Sequence, residues 1–161
     1  MLVIICIWYN YKRKWGDIMN NGYGQQIVST KANTLYALSK VIKKSKIEKM
    51  YILPVAEFEN NRENVLRDIT ETYGGEQIIV RSSSSKEDSF KTSNAGHYES
   101  ILGIDSGDSE QVNSAIEKVI ASYQKDIEIL DHEQILVQRQ AQNVKFSGVI
   151  FTRDIQGNRP Y

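Results

Sequence analysis

The stretch Val80-Arg81-Ser82-Ser83-Ser84-Ser85-Lys86-Glu87-Asp88 sets one permanent cation at the end of an apolar strand and follows it with small hydroxyl residues. Ser93-Asn94-Ala95-Gly96-His97-Tyr98-Glu99-Ser100-Ile101-Leu102 comes shortly after. A planar guanidinium beside hydroxyls and a glycine is the composition with which a backbone approaches phosphate oxygens closely. Arg81 is therefore the first candidate for an anion contact, the alternative being a structural ion pair with Glu87 or Asp88. Gly96 either lets the loop lie against a ligand or marks an ordinary turn. Lys31 falls at the expected start of a helix, where free backbone N–H groups and the helix dipole favour an anion; a solvated first-turn lysine is the plain alternative. Gln138, at the end of a strand, offers an amide to a purine edge or a ribose.

Other chemistries find little support. His97 and His132 are best read as surface or packing residues, since no glycine-rich histidine motif surrounds either, and no catalytic residue is assigned. The sequence contains no Gly-x-x-x-x-Gly-Lys-Ser/Thr loop, no Gly-x-Gly-x-x-Gly turn and no Gly-x-Ser-x-Gly elbow. The lone Cys6 excludes an internal disulfide. With two histidines besides, it cannot complete a structural zinc site, and no metal ligand is assigned.

The elements that must position these residues follow from the apolar pattern. Ser29 or Thr30 caps a helix on which Leu35, Leu38, Val41 and Ile42 recur at helical spacing. Tyr51 to Val55 reads as a strand with Pro54 at an edge or an end, Arg62 to Tyr73 as a helix ended by Gly74-Gly75, and Gln77 to Val80 as a buried strand delivering Arg81. Glu99 to Ile104 is a strand. Asp108-Ser109-Glu110 opens an amphipathic helix with Val112, Ala115, Ile116, Val119, Ile120 and Tyr123 inside. Ile135 to Gln138 and Ser147 to Thr152 read as strands joined by a hairpin over Ala141 to Lys145.

The chain has 161 residues, 40% of them apolar, enough for one domain or a piece of one. Twenty basic residues balance twenty acidic ones, so no global field draws nucleic acid or an anionic membrane. The apolar segment from Met1 to Tyr9 is far shorter than the roughly 20 residues of a membrane span, and its positive charges follow rather than precede it, unlike a secretory signal. A cytoplasmic protein is expected. Residues 1–18 are an uncertain leader or an over-extended start before Met19, or else an edge strand and a basic turn; residues 19–161 carry the domain. No helix closes the chain after its last strand, which reads as truncation.

Val80-Arg81-Ser82-Ser83 with Glu87-Asp88, Ala95-Gly96, and Gln138 ahead of Ser147-Gly148-Val149-Ile150-Phe151-Thr152 resemble, in order and spacing, the N-terminal nucleotide-binding domain of phosphoenolpyruvate synthase and pyruvate phosphate dikinase. Ser29-Thr30-Lys31-Ala32-Asn33-Thr34-Leu35 is similar to that family's Gly-Gly-Lys-x-Ala-x-Leu segment with both glycines replaced. The resemblance spans about residues 26 to 155. It implies an α+β, ATP-grasp-like N-terminal lobe with a mixed sheet and flanking helices, incomplete at the C-terminus. It implies ATP as ligand and Mg²⁺ bridging its phosphates, with Lys31 and Arg81 on those phosphates, Gly96 and Ser100 in the covering loop, and Gln138 near the nucleoside. The reaction implied is phosphoryl transfer.

The metal-binding acids, the phosphohistidine domain and the acceptor-binding domain of such enzymes fall beyond the equivalent of Tyr161, so this chain alone is expected to be inactive. Departures at Ser93-Asn94-Ala95-Gly96-His97, Leu102-Gly103 and Val137-Gln138-Arg139-Gln140 set it apart from the central dikinases. They bring it nearer to polysaccharide-pathway kinases of the L-glutamine kinase type. A non-catalytic remnant serving as a binding module is the alternative from a different class.

Overall fold

The computed structural model describes residues 2–4, 30–84, 99–123 and 133–148. Gly96, both histidines, Glu87, Asp88 and the part of the expected Ser147 to Thr152 strand beyond Gly148 lie outside them. In chain order the elements are β1 (Leu2–Ile4), α1 (Lys31–Val41), β2 (Met50–Pro54), α2 (Val55–Tyr73), β3 (Gln77–Ser83), β4 (Ser100–Asp105), α3 (Ser109–Tyr123), β5 (Gln134–Arg139) and β6 (Phe146–Gly148). The α+β class holds. Four strands form one sheet in the order β2-β5-β3-β4, antiparallel at every pairing, and the parallel pairing is confined to the short β1–β6 pair.

Alternation along the strands gives the sheet two different faces. Leu53 on β2, Ile78 and Val80 on β3, Ile104 on β4, and Ile135 and Val137 on β5 form one core with α2 and α3. All six inner positions expected on α3 are buried there. The side chains between them, Arg81 and Gln138 included, fall on the opposite face.

The two core helices end alike, each on a tyrosine whose hydroxyl donates to a β5 carbonyl: Tyr73 to Val137 at 2.9 Å and Tyr123 to Gln134 at 2.6 Å. Burial lifts the Tyr73 phenol well above its ordinary pKa, so it stays a donor. The Tyr123 hydroxyl also accepts the Ser83 N–H at 2.7 Å, bridging β3 and β5 where the strands end. Tyr123→Phe thus leaves the buried Ser83 N–H without its acceptor in addition to the Gln134 carbonyl, whereas Tyr73→Phe affects carbonyls only, that of Val137 and, at 3.4 Å, that of Lys49. At about 1–3 kcal/mol per orphaned group, urea unfolding should show Tyr123→Phe to be the more destabilised variant; equal midpoints would contradict this bridge.

α3 opens on Asp108, whose Oδ1 accepts from the backbone of Glu110 and Gln111 at 3.0 and 3.1 Å. Hydrogen bonds from the Gln111 backbone and side chain, then from Glu110, hold its carboxyl below the usual carboxylate pKa. A depressed folded-state pKa contributes stability that is present above the unfolded value and lost as pH falls through the folded one. Asp108→Asn keeps a capping oxygen but no charge. Its melting temperature should therefore fall less than wild type's as pH drops below about 4; parallel curves would exclude this linkage.

Three sequence readings change. The second helix begins at Val55, not Arg62: Asn61 is non-helical at φ −136°, ψ 37°, and the Asn60 side chain donates back to the Ala56 carbonyl at 2.8 Å. Such local side-chain bonding competes with the helix and leaves a kink that mimics a start. No hairpin joins β5 to β6, because β5 lies between β2 and β3 while β6 pairs with β1. Lastly, β3 runs past Arg81 to Ser83, so Arg81 is a mid-strand residue and not the lip of a loop.

Candidate anion-binding face of the sheet

Thr30 caps α1 in extended geometry, its Oγ1 accepting the Asn33 N–H at 3.2 Å. The same hydroxyl donates to Gln134 Oε1 at 2.7 Å, and the Ala32 N–H donates to Ser83 Oγ at 2.8 Å. Two first-turn amides of α1 are thus taken by side-chain hydroxyls. The expectation of an open backbone cradle beside Lys31 is corrected on that account: what α1 offers there is the lysine itself, held between two anchored residues.

Ser82, Ser83 and Ser84 are likewise not a ligand-lining loop. All three are buried. Ser83 ties down α1, and Ser84 Oγ donates to the buried Glu133 carboxylate at 3.0 Å. A serine-rich run satisfies the internal bonds of a strand end as readily as it wraps a phosphate.

Strand register relates the remaining candidates. Ser83 pairs with Gln134, Arg81 with Leu136 on β5 and Ser100 on β4, and Ile79 with Gln138. Residues two apart share a face and stand about 7 Å apart. Ser83, Arg81 and Ile79 therefore form one file, beside Gln134, Leu136 and Gln138, all facing away from the α2–α3 core. Arg81, Ser100 and Gln138 are brought to one face in this way, α1 with Lys31 is anchored to the same face through Ser83 and Gln134, and Gly96 lies outside the described residues. Along that face the order runs from the α1 anchor through Arg81 to Gln138.

Arg81 is half-buried, and its Nε is fully buried with no hydrogen-bond partner among the described residues. A guanidinium N–H removed from water without an acceptor is costly in the free protein and becomes an asset once an anion arrives. Gln138 is 9% exposed, and Ser100 lies opposite Arg81 at the sheet edge. A depression of about 330 Å³ lined by Ile101, Ile104, Glu110, Gln111, Ser114 and Lys118 lies between β4 and α3 on the other face and includes none of these residues.

Nothing in the sequence distinguished Ser83, Gln134 and Tyr123 as anchors, because their roles depend on contacts between positions far apart in the chain. Among the described residues no group of three or more His, Cys, Asp or Glu side chains gathers to hold a metal ion, and no helix is long and apolar enough to cross a membrane.

No curated protein and no solved structure gives a significant match to the chain. The family model described as pyruvate phosphate dikinase, AMP/ATP-binding domain, matches residues 17–160, which take in every residue of this face. The chain therefore belongs to the pyruvate phosphate dikinase AMP/ATP-binding domain family.

Proposed function

We propose that this chain is the ATP-binding portion of an ATP-dependent phosphotransferase, an ATP-grasp-like lobe that positions the triphosphate for phosphoryl transfer. The observation that carries the reading is the order of groups along one sheet face, with the Arg81 Nε buried among them and lacking an acceptor among the described residues. A nucleotide lying along that face sets its phosphates between Lys31 and Arg81 and its nucleoside towards Gln138. Arg81 supplies a planar fork to two phosphate oxygens, Lys31 a movable point charge, and the Gln138 amide a hydrogen bond to base or ribose. Ser100, across from Arg81, and Gly96 belong to the segment that covers the phosphates. Mg²⁺, when bound, offsets charge on the transferring phosphoryl group; the chain's own work is orientation and electrostatic preorganisation.

Within the family, we favour the polysaccharide-pathway kinase branch over a non-catalytic remnant. Two departures from the dikinase pattern meet in space: the Gly103 N–H donates to Gln140 Oε1 at 2.6 Å, and Gly103 takes a left-handed φ of 73°. That contact is the observation that favours a maintained branch over a remnant.

The orientation has its own test. Gln138→Leu should weaken ATP about 2- to 10-fold while leaving inorganic tripolyphosphate unchanged, because only the nucleoside reaches position 138. Calorimetric titration with both ligands measures this. Equal loss for the two would reverse the proposed direction.

A further inference from the structure

α1 is poorly held by apolar contacts among the described residues. Ala32 is its one buried residue, Leu35 and Leu38 are half-buried, and Val41 is 60% exposed. Its amino end is held by polar contacts instead. Ser83 Oγ accepts from the Ala32 backbone, Gln134 Oε1 accepts from Thr30, and these acceptors sit on paired residues of β3 and β5 whose backbones the Tyr123 hydroxyl bridges. Lys31 lies between the two tethered residues. Ser83 is also two positions from Arg81, so the strand that carries one cation fixes the helix that carries the other.

We propose that Ser83 and Gln134 are positioning residues that set Lys31 over the Arg81 face and so tune the affinity for a nucleoside triphosphate without touching it. The inference rests on the reading of Lys31 and Arg81 as phosphate contacts. It predicts more than loss of stability, since the effect of the anchor must pass through the lysine ammonium.

The test is a double-mutant cycle on the full 161-residue chain, read as the Kd for ATP with Mg²⁺ present. Ser83→Ala should weaken binding about 3- to 10-fold, and Ser83→Thr, which keeps the hydroxyl, should restore it. Lys31→Met should weaken binding more, and Ser83→Ala on the Lys31→Met background should add nothing. Gln134→Met, at a half-buried position, carries the same cycle if Ser83→Ala does not fold. Full additivity with Lys31→Met, an unchanged Kd for the anchor variants, or a threonine variant as weak as alanine would each overturn the inference. If Lys31→Met alone leaves the Kd unchanged, the phosphate reading of Lys31 fails and the inference falls with it, a result separable from the others because it appears in the lysine variant by itself.

Discussion

Arg81→Ala is expected to weaken ATP binding by about 10- to 150-fold, the loss of one charge-assisted contact, while leaving the unliganded protein at least as stable as wild type. The two effects have opposite signs for one reason. In the free protein the Arg81 Nε is buried without a hydrogen-bond partner among the described residues, so removing it relieves a desolvation cost. On the proposed reading, the same group meets phosphate oxygens in the complex. A structural ion pair with Glu87 or Asp88 predicts the reverse, because removing one member of a partly buried pair strands the other and lowers stability. Urea unfolding and calorimetry on this single variant separate the two readings, and a clear drop in stability with unchanged ATP affinity would favour the ion pair.

Phe58→Ala should have the largest effect on stability and little on binding. The ring is fully buried in the core between α2, α3 and the sheet, and truncating such a side chain costs about 3–5 kcal/mol. Set against a total of about 5–15 kcal/mol for a domain, that is enough to populate the unfolded state on mild heating. Arg62 stacks on the ring at 4.8 Å and pairs with Glu117 at 2.6 Å. That exposed pair contributes no more than about 1 kcal/mol and does not compensate for the cavity. Because Phe58 lies on the helical side of the sheet and Arg81 on the other, the ATP affinity of the folded fraction should match wild type. A Kd that rises as stability is lost would show the two faces to be coupled.

These expectations depend on features of unequal legibility in the sequence. α3 was readable in full because its six apolar positions keep helical spacing between an aspartate cap and Tyr123, a pattern with no competing interpretation. β2 was readable to within one residue at each end: Pro54 closes an edge strand, and Val55, expected to continue it, opens α2 instead. The start of α2 was obscured by a tertiary effect: Val55 and Phe58 are core residues, yet the kink at Asn61 breaks the local periodicity. The apparent hairpin before β6 failed because turn-forming composition states only that a chain bends, not which strand it rejoins.

The candidate site divides the same way. Residue chemistry singled out Arg81, Lys31, Gln138 and Gly96, and the family motif added Ser100. That Arg81, Ser100 and Gln138 share one face follows from register, and that α1 with Lys31 is anchored to the same face follows from its contacts with Ser83 and Gln134; no local pattern contains either. The serine run shows the limit most clearly. Its composition suits a phosphate loop, yet Ser83 and Ser84 spend their hydroxyls on Ala32 and Glu133, inside the protein. What separates the two uses is whether the strand continues beyond Arg81, and it does so because Ser83 has a partner in Gln134 and a bridge in Tyr123.

The central claim is that Lys31 and Arg81 serve one triphosphate on one face of the sheet. Its most direct measurement is an amide NMR titration of the ¹⁵N-labelled chain with ATP and Mg²⁺, carried out on wild type and on Arg81→Ala. Concerted shifts at Lys31, Arg81 and Gln138 in wild type, lost together in the variant, are the predicted result. Shifts confined to one of these positions, or shifts near Lys31 that survive the loss of Arg81, would contradict it.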